Sequence, residues 1–183
     1  MKTAFRLALS LSPVLFASCV LSEKPLTDES NSKPDAKLIG TWHQVKDSGP
    51  TYVMTIGRKA DEPKVLQWVS TTLNKRKRVM VQKHNVFTTG GKGKLISIAV
   101  RDDLNVIGKY VLEKKTLKLF LLDPQFLGKA VDAGKLKGTA KKKGNNYGTV
   151  ALKDSSENLR KFINKNLTKC FRKEPTVFKK IGS

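Results

Sequence analysis

Side chains that could serve as acids, bases or nucleophiles are few in this sequence, and their spacing does not assemble a site. The only histidines are His43 and His84, and neither lies at a metal-ligand spacing from a cysteine or a carboxylate. Asp102 and Asp103 are adjacent, so in a strand their carboxylates point to opposite faces and cannot act as an acid–base pair. The sequence also lacks a G-x-S-x-G motif and a cysteine close to a histidine. We therefore predict no catalytic residue, no metal site and no cofactor.

A glycine-rich stretch from Thr88 to Lys94 has the composition of a phosphate-binding loop. Thr88 occupies the position of the first glycine of that motif, and Leu95 follows the lysine where serine or threonine would bind Mg²⁺. A strand pattern comes next, where the motif requires a helix. The stretch is therefore predicted to be a hairpin turn.

The first residues form a tripartite leader. Lys2 and Arg6 precede an apolar run from Leu7 to Leu15 that is too short to span a bilayer, and Phe16-Ala17-Ser18-Cys19 follows the run. That ending resembles the lipoprotein signal of bacteria, in which a small residue precedes a cysteine that is lipidated and becomes the new N-terminus. The resemblance implies that residues 1–18 are a signal peptide and that Cys19 is lipidated. The protein is then exported to the cell envelope and anchored to a membrane, facing the periplasm or the exterior.

Ordinary cleavage that releases a soluble protein is the alternative. In that case Cys19 could form a disulfide with Cys170, the only other cysteine. If Cys19 is lipidated, Cys170 is expected to be a small buried apolar residue.

The charge of the chain indicates the kind of partner. The net charge is +21, and +19 remains from Cys19 onward because only Lys2 and Arg6 are lost. So positive a surface favours anionic lipid or an acidic envelope polymer, and export argues against nucleic acid as a physiological partner. Two clusters are candidate anion-binding sites, with solvated hairpin tips as the alternative interpretation. They are Lys75, Arg76, Lys77 and Arg78, and Lys141, Lys142 and Lys143.

Composition and periodicity divide the mature chain into two parts. Residues 19–36 are polar and contain Pro25 and Pro34, which predicts a lipid-anchored flexible tether. Residues 37–183 suit a single β-rich domain, because apolar residues alternate in short runs separated by turn residues. The predicted strands are Leu38 to Lys46, Tyr52 to Gly57, Val65 to Thr72, Arg78 to Lys83, Leu95 to Arg101, Ile107 to Glu113, Leu117 to Leu122, Lys135 to Lys142, Gly148 to Leu152 and Val177 to Lys180. They predict an antiparallel meander, either a closed or partly open barrel or a sandwich.

Two stretches are predicted to be short helices. Asp123 caps the first helix, which Pro124 begins. The second helix runs from Asp154 to about Leu167, with Asp154 and Glu157 as a capping-box-like pair.

Gly40-Thr41-Trp42, in the first predicted strand, is similar to the G-x-W opening of lipocalins. The resemblance implies an eight-stranded barrel that holds an apolar ligand and is followed by a helix. Gly40 and Trp42 would then have a structural role, with Trp42 plugging the closed end of the barrel. The candidate ligand-lining residues are Trp68, Tyr52, Tyr110 and Phe120.

A wider resemblance covers nearly the whole chain after Cys19. Its motifs look like those of an uncharacterised group of exported bacterial proteins, as found in planctomycetes. They are Leu26-Thr27-Asp28, Pro34 to Trp42, Ala133 to Gly138 and Asp154 to Leu159. The resemblance implies export and a single domain, and it brings no activity and no catalytic residues.

Three functions are compatible with these observations. An envelope lipoprotein that binds or scaffolds at a membrane surface is favoured by the leader, the charge and the missing catalytic constellation. A lipocalin-like carrier of a small apolar ligand comes second and would require an interior cavity with few polar groups. An envelope hydrolase comes third and would require a cleft with a carboxylate of perturbed pKa.

Overall fold

The computed structural model describes residues 20–45, 52–73, 78–90, 93–101 and 103–182. These residues form a mainly β structure with two α-helices and one turn of 3₁₀ helix. The strands are β1 (Val20–Ser22), β2 (Gly40–Gln44), β3 (Tyr52–Lys59), β4 (Glu62–Leu73), β5 (Val79–Thr88), β6 (Leu95–Arg101), β7 (Leu104–Glu113), β8 (Thr116–Leu121), β9 (Gly138–Lys143), β10 (Asn146–Leu152) and β11 (Thr176–Ile181). The helices are α1 (Pro124–Asp132) and α2 (Ser156–Lys165), and the 3₁₀ turn covers Ala36–Leu38.

Eight of the strands close into an antiparallel barrel. The order around the ring is β2, β3, β4, β5, β6, β7, β8 and β11, and β11 pairs with β2 to complete it. The topology is a meander whose last step, from β8 to β11, carries a long insertion with both helices. The predicted mainly β antiparallel barrel with two short helices is therefore confirmed, and the sandwich alternative is wrong. The helices precede the last barrel strand, whereas the lipocalin resemblance implied a helix after it.

Three further strands extend the sheet outside the barrel. The first part of β7 lies beyond the end of β8, and there Ser22 of β1 pairs with Asn105. β1 pairs in parallel with β10, and β10 forms an antiparallel hairpin with β9. The barrel wall therefore continues into a short outer sheet.

The segment before the barrel is not a free tether. Val20 and Leu26 are 1% and 0% exposed, and the Leu26 N–H donates a hydrogen bond of 3.0 Å to Ser97 Oγ on β6. Further along, the Lys33 N–H donates to the Thr88 carbonyl oxygen at 2.9 Å. The prediction of a flexible tether is wrong for residues 20–36, because these residues pack on the domain that was predicted to begin at residue 37. Although the overall composition of the segment is polar, its buried apolar residues and backbone hydrogen bonds attach it to the domain.

The 3₁₀ turn closes one end of the barrel. Leu38 is fully buried, and the Trp42 indole N–H donates a hydrogen bond of 2.9 Å to the Leu38 carbonyl oxygen. The Lys180 ammonium lies 5.3 Å from the centre of the Trp42 ring, which is a cation–π contact. Gly40, with φ +139°, lets the chain enter β2 beneath Lys180. Trp42 and Gly40 thus lie at the closed end, and the inward side chains beside them pack on one another.

The helices pack outside the barrel over a second apolar core, which includes Ile107 from β7 and Val150 from β10. Asp123 is the N-cap of α1, as predicted, and its carboxylate accepts hydrogen bonds from the first turn. The predicted cap of α2 is wrong by one residue, because Ser155 accepts from the Asn158 N–H. Asp154 is instead used by the neighbouring loop, where its carboxylate accepts a hydrogen bond of 2.6 Å from the Lys137 N–H.

Candidate functional site

The end of the barrel opposite the 3₁₀ turn, here called the mouth, is lined by polar side chains. β3, β4 and β5 carry them inward, in a register that pairs Tyr52 with Thr72 and Trp68 with His84. Further out on the same face of β5, Met80 is half-buried, so the burial of this face decreases toward the start of the strand. The buried polar residues of the mouth are Tyr52, Trp68, Ser70, Thr72 and His84.

These mouth residues present buried polar atoms that make no well-aligned hydrogen bond with other protein groups. Within the described residues, no hydrogen bond of standard geometry is found for Tyr52 Oη, Trp68 Nε1, Ser70 Oγ, Thr72 Oγ1 or His84 Nε2, although Ser70 and Trp68 lie close enough to interact with the Tyr52 hydroxyl. Burial raises the pKa of Tyr52 to about 12, although the nearby Ser70 hydroxyl and Trp68 indole oppose the shift. A buried polar group without a partner costs about 1–3 kcal/mol. The buried polar atoms of the mouth would therefore gain from hydrogen bonds to water or to a bound molecule.

An aromatic layer lies beneath the polar atoms. The Phe178 ring from β11 lies 6.1 Å from Tyr52 and 6.4 Å from Trp68, the latter edge-on. Both distances are typical of favourable aromatic pairs. Two of the four predicted ligand-lining residues, Tyr52 and Trp68, therefore meet inside the barrel.

The other two predicted lining residues lie elsewhere. Tyr110 faces inward, but its hydroxyl donates a hydrogen bond of 3.1 Å to Asp35 near the 3₁₀ turn. Phe120 belongs to the outer core and lies 4.8 Å beneath the Lys109 ammonium, so its assignment to the interior is wrong. The reason is strand alternation, since Leu119 and Leu121 on either side of it face the interior.

Sequence reasoning missed Ser70, Thr72 and His84. The signal was present in β4, where Trp68, Ser70 and Thr72 share one face. Small hydroxyl residues on the buried face of a strand are unusual enough to indicate a polar interior at that level of the barrel.

Of the two predicted basic clusters, one lies within the described residues. Lys141, Lys142 and Lys143 end β9 at its turn into β10, and all three are exposed. Lys142 lies 3.4 Å from Asp132 and 5.2 Å above the Tyr147 ring. In the other cluster, residues 75–77 lie outside the described residues, and Arg78 is exposed at the start of β5.

The large surface groove does not provide an acid catalyst. It has a volume of about 850 Å³ and lies between residues 26–33 and α2. Its carboxylates are Asp28 and Glu157, and both have pKa values below the ordinary range. The Ser30 hydroxyl and Asn31 amides lower the pKa of Asp28, and Lys161 lowers that of Glu157. Both groups stay ionised at neutral pH, so neither supplies a proton there.

No group of three or more histidine, cysteine, aspartate or glutamate side chains in the described part of the chain could hold a metal ion. Cys170 is buried as a free thiol, and burial raises its pKa to about 12, while Cys19 lies outside the described residues. Among the helices that the structure describes, none has the length and apolar character needed to cross a bilayer.

The chain matches no family model, no curated protein and no solved structure.

Proposed function

We propose that this protein is an exported lipoprotein, anchored through Cys19, whose basic domain binds or scaffolds at an anionic membrane surface of the cell envelope. The observation that carries the proposal is the position of Val20. The chain enters the fold there, beside the β9–β10 hairpin that carries Lys141, Lys142 and Lys143.

The strand register makes this proximity specific. Val20 pairs with Val150, and Thr149, the residue before Val150, pairs with Lys141. A lipid attached one residue before Val20 would therefore emerge next to the lysine hairpin. Because Val20 is 1% exposed and fixed between β7 and β10, little chain is available to lift the domain away from the bilayer.

A lipid and a basic patch on the same face both strengthen binding of the domain to the membrane. The acyl chains supply apolar burial, and each lysine near an anionic surface contributes about 1 kcal/mol. This arrangement also gives the high positive charge of the chain a partner, namely the headgroups of anionic lipids. An acidic envelope polymer is the second partner with the same chemistry.

The proposal is tested by the intact mass of the protein purified from membranes. The expected mass is that of a chain beginning at residue 19 with a diacylglyceryl or triacyl modification, and Cys19→Ala should abolish both the modification and membrane retention. Cys170→Ala is the matched control, because it removes the other cysteine and should leave the lipid in place. An unmodified mass in the wild-type protein would refute the anchor.

A carrier of a small molecule is the second candidate function, and the mouth residues favour it. The aromatic layer of Tyr52, Trp68 and Phe178 offers apolar contact, whereas Ser70 and Thr72 require hydrogen bonds. The ligand would therefore carry polar groups, which a purely apolar ligand lacks. Native mass spectrometry should find a small molecule bound to the purified protein, and Ser70→Ala with Thr72→Val should release it.

A further inference from the structure

One stretch of the barrel wall has an unpaired edge. β5 pairs with β4 from Val79 to Val86, but it pairs with β6 only from Val86 to Thr88. Beyond that point β6 continues beside β7, so the two strands diverge. The first part of β5 is therefore an edge strand within an otherwise closed barrel.

The backbone geometry shows which groups this edge presents. The Thr89 N–H donates to the Leu95 carbonyl oxygen on the β6 side, at 3.0 Å, whereas the Thr88 carbonyl oxygen accepts from Lys33 on the opposite side. Because backbone direction alternates along a strand, the odd-numbered residues turn their N–H and C=O groups away from β4. In the unpaired part these residues are Val79, Val81, Lys83 and Asn85, and within the described residues no backbone partner is found for them.

His84 holds the two strands apart. Its Nδ1 lies 3.0 Å from the Ala99 carbonyl oxygen, the group that would otherwise accept the next rung of the β5–β6 ladder. Burial lowers the pKa of His84, and the hydrogen bond to Ala99 opposes that shift. The imidazole thus substitutes for a backbone bond and keeps the edge open.

Two exposed valines lie on the outer face of this edge. Val79 and Val81 are 64% and 58% exposed, the highest values among the large apolar side chains of the described residues. Edge strands are normally protected by charge, proline or a bulge, because an exposed apolar edge pairs readily with another chain. Apart from Lys83, the unpaired part of β5 carries none of these protections on its outer face.

A basic groove runs along the edge. It has a volume of about 560 Å³ and contains Lys24, Lys83 and Arg101, and Glu23 is the only carboxylate among its described lining residues. Glu23 is already paired, since it lies 3.2 Å from Lys153. Among the described residues, the groove therefore presents an excess of positive charge beside unpaired backbone donors and acceptors.

We propose that the edge of β5 from Val79 to Asn85 binds an extended acidic segment of a partner protein by strand addition. Main-chain hydrogen bonds to Val81 and Lys83 supply the pairing, and the valines contact apolar side chains on the same face of the partner. Carboxylates of the partner meet Lys24, Lys83 and Arg101 in the groove. A second copy of this chain is a poor occupant, because pairing two such edges would bring their Lys83 side chains and basic grooves together.

The probe for this site is a blocked synthetic peptide of alternating valine and glutamate, compared with its valine–lysine counterpart. The test uses the chain from Cys19 to Ser183 carrying Cys19→Ser, to keep it in solution. We expect binding of the glutamate peptide only, with amide hydrogen exchange slowed at Val81 and Lys83. Protection elsewhere, equal binding of both peptides or no binding would overturn the proposal.

Val81→Pro is the decisive variant, because it removes an N–H that points away from β4 and leaves the β4–β5 ladder intact. Its affinity for the glutamate peptide should fall by about tenfold or more, whereas Val81→Thr, which keeps the N–H, should bind nearly as well as the wild type. If Val81→Pro fails to fold, the double variant Lys83→Glu and Arg101→Glu replaces it and should reverse the preference toward the lysine peptide. Unchanged preference in that variant, or concentration-dependent dimerisation through this edge, would contradict the assignment.

Discussion

At the residue scale, the closed end of the barrel depends on the backbone conformation of Gly40 and on the contact between Lys180 and Trp42. Lys180 lies over the Trp42 ring, and a Cβ at Gly40 would approach Lys180 Cε to 2.5 Å. The φ of +139° at Gly40 is also unfavourable for any residue with a side chain. Because the far end of the flexible Lys180 side chain can move aside, the positive φ is the main reason why this position needs glycine.

Gly40→Ala should therefore lower the free energy of unfolding by about 1–3 kcal/mol, which is the usual effect of backbone strain at such a position. Gly57→Ala is the matched control on β3, since a Cβ there would meet nothing within 4 Å. Urea denaturation of both variants measures the difference. Equal stability of the two would show that Lys180 and the backbone adjust freely.

Asp35 is the second residue on which the closed end depends. It accepts hydrogen bonds from Lys94 at 3.0 Å and Tyr110 at 3.1 Å. Burial would raise the pKa of Asp35, but the bonds to Lys94, the Lys37 N–H and Tyr110 outweigh it and lower the pKa below the ordinary 3.8. Because the folded state favours the ionised form, this stabilisation is complete above the ordinary pKa and is lost as the pH falls through the lowered value.

Asp35→Asn should consequently destabilise the protein by about 1 kcal/mol at neutral pH, a modest value because solvent screens the partly exposed Lys94. The difference between wild type and variant should shrink on acidification to about pH 3 and below. Urea denaturation at both pH values measures it. A difference that is independent of pH would mean that the Asp35 carboxylate makes no ionic contribution.

At the element scale, the sequence could predict the strands of the barrel, including β11, which pairs with the distant β2 and β8, and it missed the short strand β1. Local alternation indicated β3, β4, β6, β7 and β8, because each carries a regular apolar face. β1 has only the residues Val20–Ser22 and pairs with β10, far along the chain. Three residues cannot display a period, so polar composition suggested a tether instead.

Leu26→Ala tests whether this segment belongs to the fold. Leu26 is 0% exposed and contacts the outer core, so we expect a loss of about 2–5 kcal/mol in unfolding free energy. Glu29→Ala is the control in the same segment, because Glu29 is exposed and should change stability by less than about 0.5 kcal/mol. A flexible tether would instead leave both variants as stable as the wild type under urea denaturation.

Local sequence patterns could likewise predict only some of the residues inside the barrel. Tyr52 and Trp68 could be predicted as interior residues because they alternate with less buried positions. Phe120 could not be placed, since both faces of β8 pack on apolar cores. His84 was recognised only as a histidine far from other ligands. Its contact with Ala99 depends on where β5 and β6 diverge, and no local pattern encodes that point.

At the scale of the whole molecule, positive charge is distributed over distinct surfaces. The lysine hairpin of β9 and β10 lies beside the start of β1, whereas the open edge of β5 is separated from β10 in the sheet order by β6, β7 and β1. The two proposed interactions therefore use different parts of the surface. An anchored domain could rest on anionic lipid through the hairpin while the β5 edge remains available to a partner.

The central claim is that the lysine hairpin faces the membrane, and it is tested most directly by vesicle binding of two triple variants in the Cys19→Ser chain. One replaces Lys141, Lys142 and Lys143 with glutamine, and the other replaces Lys114, Lys115 and Lys179, which are exposed at the closed end. The hairpin variant should bind phosphatidylglycerol vesicles about 100-fold more weakly than the unsubstituted chain, at about 1 kcal/mol per lysine. The control, with the same net charge, should lose much less, and added salt should weaken all binding. Equal losses in the two variants, or none in either, would contradict the claim.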